Sequence, residues 1–196
     1  KRIEFIDDIF NVKEKDFIAF FNKVIQSNLK VSFFFPTALK GDLLTKEGID
    51  AMMQGGAFGI NVSLESASPR MQKVMRKGLD IERFRENLEY ITKEHPEAVT
   101  VLNTMHGFPT ETEEEAMMTY NFIKEMKWIH FPYVHVVRIF PGTDLEKFAL
   151  SQGVSKKAIS ESIDKSYHEV TPTLPFSKEF TKKYQFNFLK DYILNK

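Results

Sequence analysis

The stretch FGINVSLESASPR, residues 58–70, decides how the rest of the chain is read. Phe58 to Leu64 carries the apolar and β-branched content of a buried strand, and Glu65-Ser66 ends it. Ser68 can then accept from the free N–H groups of a following helix, and Pro69 occupies the first helical position, where its missing N–H costs nothing. Gly78 closes that short helix. One strand, one loop and one capped helix are spelled out here, and the same grammar recurs on both sides.

Upstream, Ile3 to Ile6 reads as a buried strand ending at Asp7-Asp8, followed by a helix over Glu14 to Asn28 with Phe17, Phe20, Phe21, Val24 and Ile25 on one face. Val31 to Phe35, stopped by Pro36, precedes a helix capped by Thr45, with Ile49, Met52 and Met53 turned inward. Downstream, a helix from Ile81 presents Phe84, Leu88 and Ile91 at spacings of three and four, and Val99 to Met105 is the next strand. Thr112 with Glu115 makes a capping box for a helix bearing Tyr120, Ile123 and Met126. Tyr133 to Ile139 is the fifth strand, and Thr143 with Glu146 makes a second capping box before a helix ending at Gly153.

Strands joined through helices run parallel with right-handed crossovers, so the pattern predicts an α/β fold. Five βα units either curl into a partial, open parallel β/α barrel or form a doubly wound sheet. The text changes after Gly153, where Ser, Lys and Glu dominate to Ser166 and a last aromatic helix runs from Lys178 to Leu194. Residues 1–153 are therefore read as the βα domain and 154–196 as a C-terminal helical extension.

Composition narrows the function classes. With 27 basic and 27 acidic residues, the chain lacks the general electrostatic attraction that a nucleic-acid or anionic-membrane partner would exploit. No run approaches the roughly 18 apolar residues that span a bilayer, and a cytoplasmic location is expected. Without Cys there is neither disulfide nor thiolate metal site within these residues. His130 and His135, five apart in or beside a strand, point to opposite faces and do not form a metal pair.

In parallel βα folds ligands sit at the carboxyl ends of the strands. Those ends offer Asp7 and Asp8, Pro36, Glu65 with Ser66, Asn103 to Gly107, and Arg138. Such a rim suits a zwitterionic or ribose-bearing ligand, with acids for an amino group or sugar hydroxyls and Arg138 for a carboxylate. No Lys ends a strand, which argues against Schiff-base chemistry. Asp7-Asp8 would serve equally as a loop turn, and Glu65 as a helix cap. The basic set Arg70, Lys73, Arg76 and Lys77 reads as a solvated face, with only Lys77 of interest.

Taken together, residues 3–10, Val62 to Ser66, Met75-Arg76-Lys77-Gly78, His106 to Thr112 and Phe140-Pro141-Gly142-Thr143 resemble the radical S-adenosylmethionine superfamily over roughly residues 3–150. The flavour is that of the branch often carrying an N-terminal cobalamin-binding domain. The resemblance implies S-adenosylmethionine (SAM) and a [4Fe–4S] cluster held by three cysteines, reductive cleavage of SAM, radical chemistry on an unknown small-molecule substrate, and cobalamin as a further cofactor in some members. It carries over Asp7 and Asp8 to the amino-group loop, Glu65 to the ribose contact, Lys77 to a basic position after it, and Asn103 and Met105 to contacts on the next strand. Arg138 falls near the adenine side. The missing cysteines depart from the pattern. A piece of a longer enzyme, inactive alone and with an exposed barrel edge able to self-associate, is the reading they favour. A cluster-free βα-barrel lyase or isomerase, or a non-catalytic binding scaffold, stays open at this point.

Overall fold

Five strands follow one another across a single parallel sheet in the order β1-β2-β3-β4-β5. That order settles the choice left by the sequence. A doubly wound sheet reverses direction at a switch point, whereas a chain that always adds its next strand on the same side follows the course of an open parallel β/α barrel. The computed structural model describes residues 1–166 and 169–194.

The strands are β1 (Arg2–Glu4), β2 (Ser32–Phe34), β3 (Ala57–Glu65), β4 (Val99–His106) and β5 (Phe131–Val136). The helices are α1 (Glu14–Gln26), α2 (Lys46–Gln54), α3 (Pro69–Val74), α4 (Ile81–Glu94), α5 (Glu113–Glu125), α6 (Asp144–Ser151), α7 (Lys156–Ile163) and α8 (Lys178–Phe188). The last continues as a π-helical turn over Leu189–Leu194. No helix among the described residues is long and apolar enough to cross a membrane.

The local punctuation operates as expected. Thr45 and Ser68 accept from the N–H groups of Gly48 and Met71, and Pro69 opens α3. Thr112 and Glu115 bond reciprocally, each side chain taking the other's backbone N–H. Thr143 accepts from Glu146, but Glu146 reaches back to the N–H of Gly142 rather than Thr143.

Most boundaries shift by a residue or two from the sequence expectation, and those at the sheet edges bear on the site. β1 is an exposed edge strand that stops at Glu4, leaving Ile6 77% exposed. β5 begins two residues earlier than Tyr133 because it is the other edge, where Pro132 is tolerated in place of a ladder donor. It ends at Val136, so Arg138 lies beyond the strand. The Ser/Lys/Glu-rich segment contains α7, capped by Ser155, whose buried side is confined to Ile159 and Ser162.

The chain clusters into two compact units. The first comprises residues 1–64, 76–103 and 126–133. Its core is aromatic: Phe21 of α1 meets Phe33, Phe35 and its own neighbour Phe17, and Phe5 stacks on Phe10 and Phe35 at 4.2 and 5.3 Å between ring centroids. Of the expected α1 face, Ile25 is exposed instead. Ile49 and Met52 of α2, Phe84, Leu88 and Ile91 of α4, and Ile60, Val62 and Leu64 of β3 are buried with them. Asn87 on α4 donates to the carbonyls of Gly41 and Leu44, fixing the short 3-10 turn that leads into α2. Trp128 stands in a left-handed turn, 73% exposed, its carbonyl accepting from the Thr100 hydroxyl.

The second unit comprises residues 65–75, 104–125 and the described residues from 134 onward. Ala116, Tyr120 and Tyr184 form one core cluster with Phe176, Phe180 and Phe188 around it. Ile139, Ala149 and Ile159 form another, joined by Leu145, Leu150 and Val154.

Candidate functional site

In the first unit the strand-end loops are held mainly through backbone. The Thr37 hydroxyl lies 3.1 and 2.8 Å from the carbonyls of Phe5 and Asp7, and buried Asn11 both donates to and accepts from the backbone of Lys40. The loop after β1 is thus pinned while the side chains of Asp7 and Asp8 stay exposed. Lys77 is exposed too, in the turn after α3, and its neighbour Arg76 is left-handed. Asn103 is half-buried on β4 and donates to Asn61 Oδ1 at 2.6 Å, with Ser63 Oγ at 3.5 Å. Asn61 in turn donates to the carbonyl of Pro36. Along β4 the odd positions are half-buried and the even ones buried. Asn103 therefore sits on the half-buried face, between Val101 and Met105, and with Asn61 and Ser63 it forms a polar patch there.

In the second unit Glu65, the last residue of β3, is 7% exposed and has a φ of 63°. A left-handed backbone is uncommon for a residue with a side chain and costs about 1 kcal/mol or more. The next seven residues, together with α5, hold it there. Ser66 Oγ accepts from the N–H of Ser68, Gln72 donates to the Ser66 carbonyl at 2.6 Å, and the Thr119 hydroxyl accepts from Ala67. Ser68 donates to Glu115, and Arg70 grips Glu115 through Nε and Nη2. Arg70, expected on a solvated face, is committed to this bridge and to the Thr110 carbonyl. The Arg70 guanidinium holds the Glu115 carboxyl down at about 2.

The turn after β4 belongs to the same unit. Met105 is half-buried, and His106 is buried with its ring 5.0 Å from that of Tyr184, where burial pushes it down to about 4. Glu111 accepts from the N–H groups of Gly107 and Phe108, and burial pushes it up to about 7. Gly107 has a φ of 89°, which a side chain would resist. Arg138 is buried and donates from Nε and Nη2 to the carbonyls of Lys165 and Glu169.

A raised folded-state value means that Glu111 favours the fold while protonated. Its contribution is complete below about 4.5, the ordinary value, and lost as pH rises through about 7. Glu111→Gln keeps the acceptor for Gly107 and removes the charge. Urea unfolding at pH 4.5, 6 and 8 is expected to show the stability of the parent relative to the variant falling by on the order of 1–3 kcal/mol, the opposing contribution of buried His106 being common to both and cancelling in the difference.

The structure thus brings Asn103 to Asn61 and Ser63, and fixes the loop that follows Glu65 through hydrogen bonds among Ser66 to Gln72 and α5. It leaves Asp7, Asp8 and Lys77 on exposed loops. Thr37, Asn11, Asn61 and Glu111 do not stand out in the sequence as site residues. Only Glu111, four and three residues after Gly107 and Phe108 and so within reach of the N–H groups of that turn, carries a local signal.

A family model described as "Radical SAM superfamily" matches residues 3–123. An uncharacterised methyltransferase of Pyrococcus horikoshii is 27% identical over 154 residues, 79% of this chain and 32% of that protein. The threonylcarbamoyladenosine tRNA methylthiotransferase of Bacillus subtilis is 33% identical over 102 residues, 50% of this chain and 23% of that one. Among solved structures, the radical S-adenosylmethionine methyltransferase TsrM from Kitasatospora setae, with cobalamin and a [4Fe–4S] cluster bound, superposes with a TM-score of 0.66. It shares 13% identity and covers 94% of this chain and 37% of its own, a likeness of fold alone. The chain spans about a third or less of the curated relatives it matches.

Proposed function

Since this chain belongs to the radical SAM superfamily, we propose that it supplies the SAM-binding strand ends of a larger enzyme. That enzyme starts radical chemistry on a substrate by reductive cleavage of SAM at a [4Fe–4S] cluster. The cluster itself does not fit the residues present. The sequence has no cysteine, and among the described residues no group of three His, Cys, Asp or Glu could hold a metal ion. No step is therefore assigned to these residues at the cluster.

SAM fits better, and the observation that carries the reading is Glu65. A carboxylate buried at a strand end, in a backbone conformation that costs energy and that a whole polar frame maintains, is the kind of strain that persists where a ligand must be met. Glu65 would accept from ribose hydroxyls. Asn103 and Met105 would supply one polar and one apolar contact on β4. Asp7 and Asp8 would receive the amino group, with Lys77 and Arg138 as the outlying basic positions. Arg138 would act mainly through position, since its guanidinium is engaged by main-chain carbonyls.

The names of the relatives suggest methyl or methylthio transfer, and TsrM was solved with tryptophan in a further structure. With no net charge, this chain is read as serving a small-molecule substrate in the cytoplasm, with cobalamin a candidate cofactor of the larger enzyme. Residues 1–153 would form the barrel part and 154–196 its extension. The exposed β1 edge, with Ile3 and Ile6 open, would favour pairing of two copies in isolation.

The test is production of 5′-deoxyadenosine by the whole protein with its cluster reconstituted. Glu65→Gln is expected to weaken SAM binding and lower turnover by on the order of 10- to 100-fold, the loss of a hydrogen bond to a charged group. Turnover unchanged by that substitution would remove Glu65 from the site.

A further inference from the structure

Two asparagines facing each other from adjacent strands are unusual, because Asn fits a pleated surface poorly. Asn61 on β3 and Asn103 on β4 do so within the first unit, and one fixed point determines how both amides are turned. The fixed point is the carbonyl of Pro36, which can only accept. The Asn61 atom 2.9 Å away must therefore be the donor, Nδ2. Asn61 Oδ1 is left facing Asn103, and it too can only accept, so Asn103 must present its own Nδ2, at 2.6 Å. The second N–H of that group is directed to Ser63 Oγ. Neither amide can turn over without setting two oxygens, or two N–H groups, against each other.

We infer that Asn61 is a positioning residue that fixes Asn103 as an acceptor through Oδ1, so that the ligand group met by Asn103 is a hydrogen-bond donor. This deepens the reading of the strand ends as a SAM site and rests on it. An acceptor placed there meets an oxygen and is refused; a hydroxyl or an ammonium is taken. SAM carries donors of three kinds, the ribose hydroxyls, the α-ammonium and the exocyclic amine of adenine, and the residues alone fix their common chemistry.

The orientation is read first and without ligand. In the isotopically labelled chain, couplings across the hydrogen bonds should connect Asn103 Nδ2 with the Asn61 side-chain carbonyl, and Asn61 Nδ2 with the Pro36 carbonyl. Couplings in the opposite sense, or none, overturn the assignment. SAM is then titrated into the whole protein, labelled and with its cluster reconstituted, against three blocked analogues: one methylated on both ribose oxygens, one acetylated on the α-amine, and one dimethylated on the adenine amine. One of them should bind at least tenfold more weakly than SAM with the shift lost at Asn103, and that one names the donor. Equal binding of all four overturns the inference while leaving the SAM site standing. No response to SAM at all overturns the functional reading and the donor assignment with it, and the couplings still decide the amides.

A positioning role is separated from a structural one by two substitutions. Asn61→Asp keeps an acceptor facing Asn103 but sets an oxygen against Pro36, so it should lose stability and keep the discrimination. Asn61→Leu relieves that repulsion and frees Asn103 to turn over, so the tenfold discrimination should fall toward unity. Discrimination that follows stability in both variants would mean a structural role only.

Discussion

Phe21→Ala is expected to lower the unfolding free energy by about 3–5 kcal/mol. Phe21 has no solvent exposure, and its ring meets those of Phe17, Phe20 and Phe33 at centroid distances of 5.1, 5.0 and 5.6 Å, mostly edge to face. Gly55 at the end of α2 lies so close that a Cβ there would come within 2.6 Å of the Phe21 ring. Truncation removes the transfer free energy of a phenyl ring and leaves a cavity walled by rigid rings and by backbone, which cannot close over it. Urea unfolding followed by far-ultraviolet circular dichroism measures the effect. Phe21→Leu, which keeps most of the volume, should cost about 1–1.5 kcal/mol. A loss under about 1 kcal/mol for the alanine variant would mean that the aromatic cluster does not organise this unit.

The second large effect is expected at Glu115, at about 3 kcal/mol for Glu115→Ala. Its carboxylate receives two donors from Arg70, one from Ser68 and the N–H of Thr112. The change removes half of the capping box and a bidentate ion pair, and leaves the Ser68 hydroxyl buried without its acceptor. Arg70 is half exposed and regains water, which keeps the loss below that of a fully buried pair. The pH dependence runs opposite to that of Glu111. A value held down to about 2 means that the stabilisation is complete above about 4.5 and lost as pH falls through about 2. The difference between the parent and Glu115→Gln should stay constant from pH 5 to 8 and close in acid. A difference that grows in acid would show that the carboxylate is not the stabilising form.

What can be read from the sequence is what is local. Ser68-Pro69, Thr45 and the pair Thr112 and Glu115 act within a turn of their own helix, so residue type and spacing suffice. Strand order depends on which strands meet, and alternating βα units fit more than one sheet. The start of β5 reads two residues late because Pro132 looks like a breaker until its strand is known to lie at an edge. α7 is hidden in the sequence because a helix burying only Ile159 and Ser162 has no apolar stripe. The site divides the same way. Glu65 is legible from its place after an apolar run. Asn11, Thr37 and Asn61 are not, since their partners lie 25 to 42 residues away and nothing near them marks the bond. Arg70 looks like one charge among several until Glu115, 45 residues on, gives it a partner.

The exposed turn at residue 128 bears on how any of this is watched. Trp128 is the sole tryptophan of the chain, and it stands in water while nearly every large buried ring is phenylalanine or tyrosine. Indole fluorescence from the native protein should already have the red-shifted emission of a hydrated ring, and acrylamide should quench it without unfolding. A change large enough to collapse the Phe21 core would pass almost unseen at that wavelength. The same isolation makes Trp128 a clean optical tag for whatever approaches the turn before β5, reporting on a neighbour rather than on the fold behind it.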